Sequence, residues 1–184
     1  MTTANIKAMQ ARLHITADGF WGPKSIASCQ AWLRKLMPDP SPWPEQYESR
    51  LAQFFGMSGD ESRLVSLPVT GVLYAGQPVA TIRCHTRVAD SLGRILDELR
   101  RTYPAILEHY DGCYNDRPMR NGTSPSLHAR GAAIDLCADS NDNQAHWPDQ
   151  ACMPLQVMEV FAKEGWLAAG AFWGRDAMHF QATR

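Results

Sequence analysis

Apolar positions in the first third of the chain recur at helical spacing. Ile6, Met9 and Leu13 lie three and four residues apart, which predicts a helix over about Asn5 to Leu13. After the loop Ala17-Asp18-Gly19-Phe20-Trp21-Gly22, a second helix is expected from Pro23, a residue suited to the first helical position, with Ile26, Gln30, Leu33 and Leu36 on its turns. It must stop before Pro38-Asp39-Pro40-Ser41-Pro42-Trp43-Pro44, whose prolines lack amide donors. A third short helix is expected over about Glu45 to Phe55, and Gly56 to Glu61 reads as a linker.

Beyond Ser62 the period changes. Leu64 to Leu73 and Val79 to Cys84 are β-rich segments around Pro68, Gly71 and Gly76. Val88, Leu92, Ile95, Leu96 and Leu99 share one stripe of a helix expected from Val88 to Tyr103 and ended by Pro104. Ala132 to Cys137 and Met178 to Gln181 read as strands, with a helix over about Leu155 to Lys163 between them. No internal repeat is found. Helices and short strands in this order predict an α+β fold, a small antiparallel sheet with flanking helices preceded by a small three-helix module. The expected division is residues 1–58 and 59–184.

Composition narrows the function classes. The chain has 184 residues, 45% hydrophobic, with a formal net charge of -1. No basic field favours nucleic acid or an anionic membrane, so neither is an expected partner. No apolar run approaches the roughly 20 residues of a membrane span. The N-terminus lacks the basic and apolar regions of a secretory signal, so synthesis in the cytoplasm is expected. Five cysteines without a C-x-x-C pair read as reduced thiols.

The chemistry concentrates in S-x-H-x-x-G-x-A-x-D, filled by Ser126, His128, Gly131, Ala133 and Asp135, and in the distant Asp176-Ala177-Met178-His179. His128, Asp135 and His179 can hold a zinc ion and leave its fourth position to water, the mark of a catalytic rather than a closed structural site. In a strand, Ala133, Asp135 and Cys137 would share a face, Asp135 projecting into a cleft while Ile134 and Leu136 fill the core. Small Ala133 leaves room for the ion, and Gly131 permits the turn between His128 and the strand. Asp176 precedes His179 by three residues, so both reach the ion only if Asp176 sits on a turn or bulge. From there it could carry protons between water and a leaving amine. Cys137 is an alternative thiolate ligand, with core packing as its ordinary role. His14, His85, His109 and His146 read as surface or satisfied core residues.

The stretch His128 to Asp135 resembles the signature of the M15 zinc peptidases, which include D-Ala-D-Ala carboxypeptidases, dipeptidases and phage L-alanyl-D-glutamate endopeptidases. Trp173-Gly174-Arg175-Asp176-Ala177-Met178-His179-Phe180 is similar to that family's closing segment. The resemblance implies zinc ligands His128, Asp135 and His179 and a general base at Asp176. Many carboxypeptidase members carry Glu as the base, and Asp is found in some phage endopeptidases. Tyr114-Asn115-Asp116-Arg117-Pro118 resembles the family's Y-R-P segment with an insertion. The matching arginine would stabilise the oxyanion, with Arg117 the first choice and Arg120 the reserve. Arg120, Ser126 and Trp173 are the candidate substrate-binding residues, and Ser126 also suits a supporting hydrogen bond to the His128 loop.

Asp18-Gly19-Phe20-Trp21-Gly22-Pro23-Lys24-Ser25 resembles the core of small three-helix peptidoglycan-binding domains, with Asp18 and Trp21 as candidate wall-binding residues. Together the two resemblances imply a zinc peptidase of peptidoglycan stem peptides. The expectation is a monomeric phage-type endolysin that cuts L-Ala–D-Glu and reaches the cell wall after release from the cytoplasm. The alternatives are a D-Ala-D-Ala carboxypeptidase or dipeptidase, and a non-catalytic wall-binding protein with a structural zinc.

Overall fold

The structure is a computed structural model and describes residues 1–119 and 122–184. Helices α1 (Thr3–Arg12), α2 (Pro23–Leu36) and α3 (Glu48–Phe55) come first. Thr2 caps α1 through its hydroxyl, and Pro23 occupies the first turn of α2, where its missing N–H costs nothing. Then follow β1 (Leu64–Pro68), β2 (Leu73–Tyr74), β3 (Gln77–Pro78), β4 (Thr81–His85), α4 (Ala89–Thr102) and α5 (Pro104–Leu107). The chain closes with β5 (Tyr110–Gly112), β6 (Ala133–Leu136), α6 (Leu155–Lys163), β7 (Leu167–Ala168), α7 (Ala169–Trp173) and β8 (His179–Gln181).

The strands form antiparallel sheets, as the α+β expectation required. The β1–β4 and β2–β3 pairs are two-stranded, and the third sheet has the order β5-β6-β8-β7. Pro104 both stops α4 and starts α5, because its ring blocks one helix and preorganises the next. β5, β7 and α7 are elements of two to five residues, too short to show a period in the sequence.

Alternation along β6 and β8 positions the site. Ile134 and Leu136 are fully buried behind the sheet, each contributing about 1.5–3 kcal/mol of burial, while Ala133 and Asp135 face the other way. On β8, Phe180 turns into the core and stacks on Phe161 of α6 at 3.8 Å between ring centroids. His179 and Gln181 therefore share the face of Asp135. The register sets Asp135 directly across from His179 and Ala133 across from Gln181.

The N-terminal helices join the same hydrophobic core as the rest of the chain. The Arg12 guanidinium donates to both carboxylate oxygens of buried Glu159 on α6, at 2.7 and 2.6 Å, and the Trp32 indole donates to it at 2.7 Å. Trp43 donates its indole N–H to the Glu164 carbonyl at 2.7 Å. Buried Arg130 donates to the Gly56 carbonyl at the C-terminal end of α3 and to Glu48 at its start. Among the described residues, no helix is long and apolar enough to cross a membrane.

Candidate metal centre

His128, the first candidate ligand, sits on a short 3-10 turn, Leu127–Arg130. Ser126 caps this turn, its hydroxyl accepting from the His128 N–H at 3.3 Å, and its own N–H donates to the Arg117 carbonyl. Gly131 ends the turn with φ +63°, a left-handed conformation. A Cβ there would stand 2.8 Å from the His85 nitrogen and 3.1 Å from the Cys84 carbonyl carbon, so close backbone approach requires glycine as well. The chain then enters β6 and presents Asp135.

The second histidine begins β8. Asp176 has φ +60°, and its carbonyl accepts from the His179 N–H at 2.9 Å, closing a turn over Ala177 and Met178. That turn resolves the odd spacing of the D-x-x-H motif: Asp176 lies before the strand, free of its alternation.

His128 Nε2, His179 Nδ1 and Asp135 Oδ1 converge, separated by 3.1, 3.1 and 2.9 Å. The outer ring nitrogens settle which atoms carry protons. His128 Nδ1 lies 2.7 Å from the Cys113 carbonyl, which can only accept, so that nitrogen donates and Nε2 keeps its lone pair. His179 Nε2 lies 3.2 Å from Gln181 Oε1, leaving Nδ1 to face inward. Three acceptor atoms aimed at one point repel unless a cation lies among them. Their separations approach the roughly 3.3 Å between ligands of a tetrahedral ion with bonds near 2.0–2.1 Å. The donor set fits a divalent metal, and among the described residues it is the one cluster of His, Cys, Asp or Glu with such geometry.

Burial by itself would raise the Asp135 carboxyl, yet without an ion the His128 and His179 rings, when protonated on their inward nitrogens, donate to it and hold it well below the usual range. Burial opposes protonation of His179, and it is outweighed by the hydrogen bond to Asp135 and the negative charges of Asp135 and Asp176. A proton and a bound metal ion would thus compete for the same nitrogen of His179. The influence of Asp176 also places its carboxylate within electrostatic reach of the cluster.

The cluster opens into a cleft of about 610 Å³. Asp176, Arg117, Ser126 and Trp173 all line it, so the structure gathers these sequence candidates around His128, Asp135 and His179. Arg117 is half-buried and donates to the Pro118 carbonyl at 3.2 Å. Trp173, 41% exposed, stacks on His179 with ring centroids 5.8 Å apart. Arg120 lies outside the described residues.

Other candidates lie elsewhere. Cys137 leaves the strand in a left-handed conformation, its thiol directed at the Ile106 carbonyl and pushed up to about 12 by burial, so it is not a ligand. The cysteines among the described residues are free thiols. Trp21 is buried edge-on against Trp147, and Asp18 shapes its loop by accepting from the Phe20 N–H and the Gln10 amide. The aromatic ring of that loop that faces solvent is Phe20, 71% exposed. His85 is a satisfied core residue: Nε2 bonds the Phe55 carbonyl at 2.8 Å and Nδ1 accepts from the Arg87 N–H.

The sequence motifs assign no role to Gln181, which meets the outer nitrogen of His179, or to the wall residues Gln46, Glu48, Leu51 and Arg175. The parity of His179 and Gln181 on one strand was the available signal for Gln181. Nothing local signals the wall residues from α3 and the segment before it, which reach the cleft only through tertiary packing.

Residues 120–182, about a third of the chain, match the M15 peptidase family model described as D-alanyl-D-alanine carboxypeptidase. The match supports the M15 peptidase family. It spans all three converging side chains and Asp176, and at this level it indicates a metallopeptidase acting on peptidoglycan-type substrates. No curated protein and no solved structure matches the chain.

Proposed function

We propose that the protein is a zinc-dependent peptidase of the peptidoglycan stem peptide, acting as a phage-type endolysin on the L-Ala–D-Glu bond. The observation that carries this reading is the convergence of His128, Asp135 and His179 at a cleft that Asp176 also lines. His128, Asp135 and His179 would hold the ion. The chemistry a divalent ion supplies there is an acidified water and a polarised amide carbonyl.

Asp176 accepts a proton as water adds to the scissile carbonyl carbon, and delivers it to the nitrogen when the C–N bond breaks. Arg117 steadies the negative charge that develops on the carbonyl oxygen. Ser126 and Trp173 bind the peptide along the cleft, Trp173 with its exposed ring, and Arg120 is retained as a further substrate-binding residue. Residues 1–58 are proposed to hold the enzyme on the wall, with Asp18 and Trp21 shaping the loop that presents Phe20. The rest of the proposal is synthesis in the cytoplasm and action at the wall after release.

The description of the matched family favours a second reading, removal of the terminal D-Ala by a D-Ala-D-Ala carboxypeptidase. Digestion of defined muropeptides by zinc-loaded protein, with mass spectrometry of the new termini, separates the two. A free L-Ala carboxyl terminus is expected, and released D-Ala would establish the second reading. Asp176→Ala should lower turnover by about 10²–10⁴-fold with the metal still bound. Undiminished turnover would remove Asp176 from the mechanism.

A further inference from the structure

The His179 ring has two nitrogens that could serve the site, and something must choose between them. Its Nδ1 faces Asp135 and His128, while Nε2 points away from the cluster toward Gln181 Oε1 at 3.2 Å. The Gln181 amide is itself oriented: its Nε2 donates to Thr183 Oγ1 at 2.6 Å. Both side chains are buried, Gln181 at 3% and Thr183 at 0% exposure. A buried amide costs stability unless its polar atoms are paired, and Gln181 Oε1 is paired with His179.

Strand geometry makes this contact possible. Residues 179 and 181 share a face of β8, so the amide can fold back along its own strand. Across the sheet stands Ala133, whose methyl group leaves the amide its space.

We propose that Gln181, held by Thr183, is a positioning residue that fixes the His179 ring with Nε2 protonated and Nδ1 offered to the metal. Groups that accept the outer N–H of a histidine ligand set its tautomer and orientation and strengthen it as a donor. His128 gains the same service from the Cys113 carbonyl, a backbone group that mutation cannot remove. Gln181 is the adjustable half of the arrangement. The inference rests on the metal-site reading above.

The test is zinc affinity, measured by competition with a chromophoric chelator without any substrate, alongside nitrogen NMR of the His179 ring in the zinc-loaded protein. Gln181→Met keeps the length of the side chain and loses the strong acceptor. It should bind zinc about 10–100-fold more weakly than the wild type and lose the slowly exchanging Nε2 proton. Gln181→Glu retains an acceptor and should bind zinc at least as tightly as the wild type. Thr183→Val should give an intermediate loss.

Undiminished affinity in a folded Gln181→Met overturns the proposal, as does wild-type NMR showing zinc on Nε2 of His179. Should Gln181→Met not fold, Gln181→Glu decides, since weakened binding in that variant contradicts the acceptor role. These readouts do not involve peptide cleavage. A protein that binds zinc as described but cuts no muropeptide would overturn the proposed function and leave this inference standing.

Discussion

His85 is buried, and burial lowers its pKa below the ordinary 6.5. The neutral ring makes two hydrogen bonds, one of them to the last residue of α3. The folded chain therefore binds fewer protons here than the unfolded chain at pH values just below 6.5. The stabilisation is complete above about pH 6.5 and is lost as pH falls through the lowered folded value. Denaturation midpoints measured from pH 7.5 to 5 should show His85→Gln losing part of the wild type's acid sensitivity, and identical slopes would contradict this. At this scale the sequence made His128, Asp135 and His179 legible, because their spacing is rigid and a carboxylate in an apolar strand demands a partner. Gln181 stayed hidden because an amide two residues from a histidine looks like ordinary strand alternation. The tautomer it imposes exists only in three dimensions.

Between elements, the clearest polar joint is Glu159 on α6, which receives Arg12 from α1 and Trp32 from α2. The two ends differ in exposure, the Arg12 side chain at 44% and that of Glu159 at 7%. Arg12→Leu strands a buried carboxylate with only an indole N–H and should cost about 2–4 kcal/mol. Glu159→Gln keeps an acceptor for Trp32 and releases Arg12 to water, so its cost should be nearer about 1 kcal/mol. Urea denaturation of the two variants checks the order, and a reversed order would show that the joint is not controlled by the buried acid. The long helices were readable from their stripes. β5, β7 and α7 were not, since elements of two to five residues take their shape from neighbours rather than from a period of their own. The joints at Glu159, Glu48 and Arg130 link residues far apart in sequence, and nothing local announces them.

For the whole molecule, the expectation of an antiparallel α+β arrangement carrying the ligands matches the fold. What the pattern could not convey is that the N-terminal helices share buried core contacts with the sheet, and that Gln46, Glu48 and Leu51 supply part of the cleft wall. The cleft is thus assembled from α3, the segment before it and residues 117–181, around the β6–β8 register. In the proposed function, His128 Nε2, Asp135 Oδ1 and His179 Nδ1 grip one divalent cation that still faces the cleft. Anomalous diffraction at the zinc edge from crystals of the zinc-loaded protein tests this most directly. One peak within bonding distance of those three atoms, with its remaining coordination turned to solvent, is the predicted result. A peak elsewhere, or an ion enclosed by four protein side chains, would contradict it.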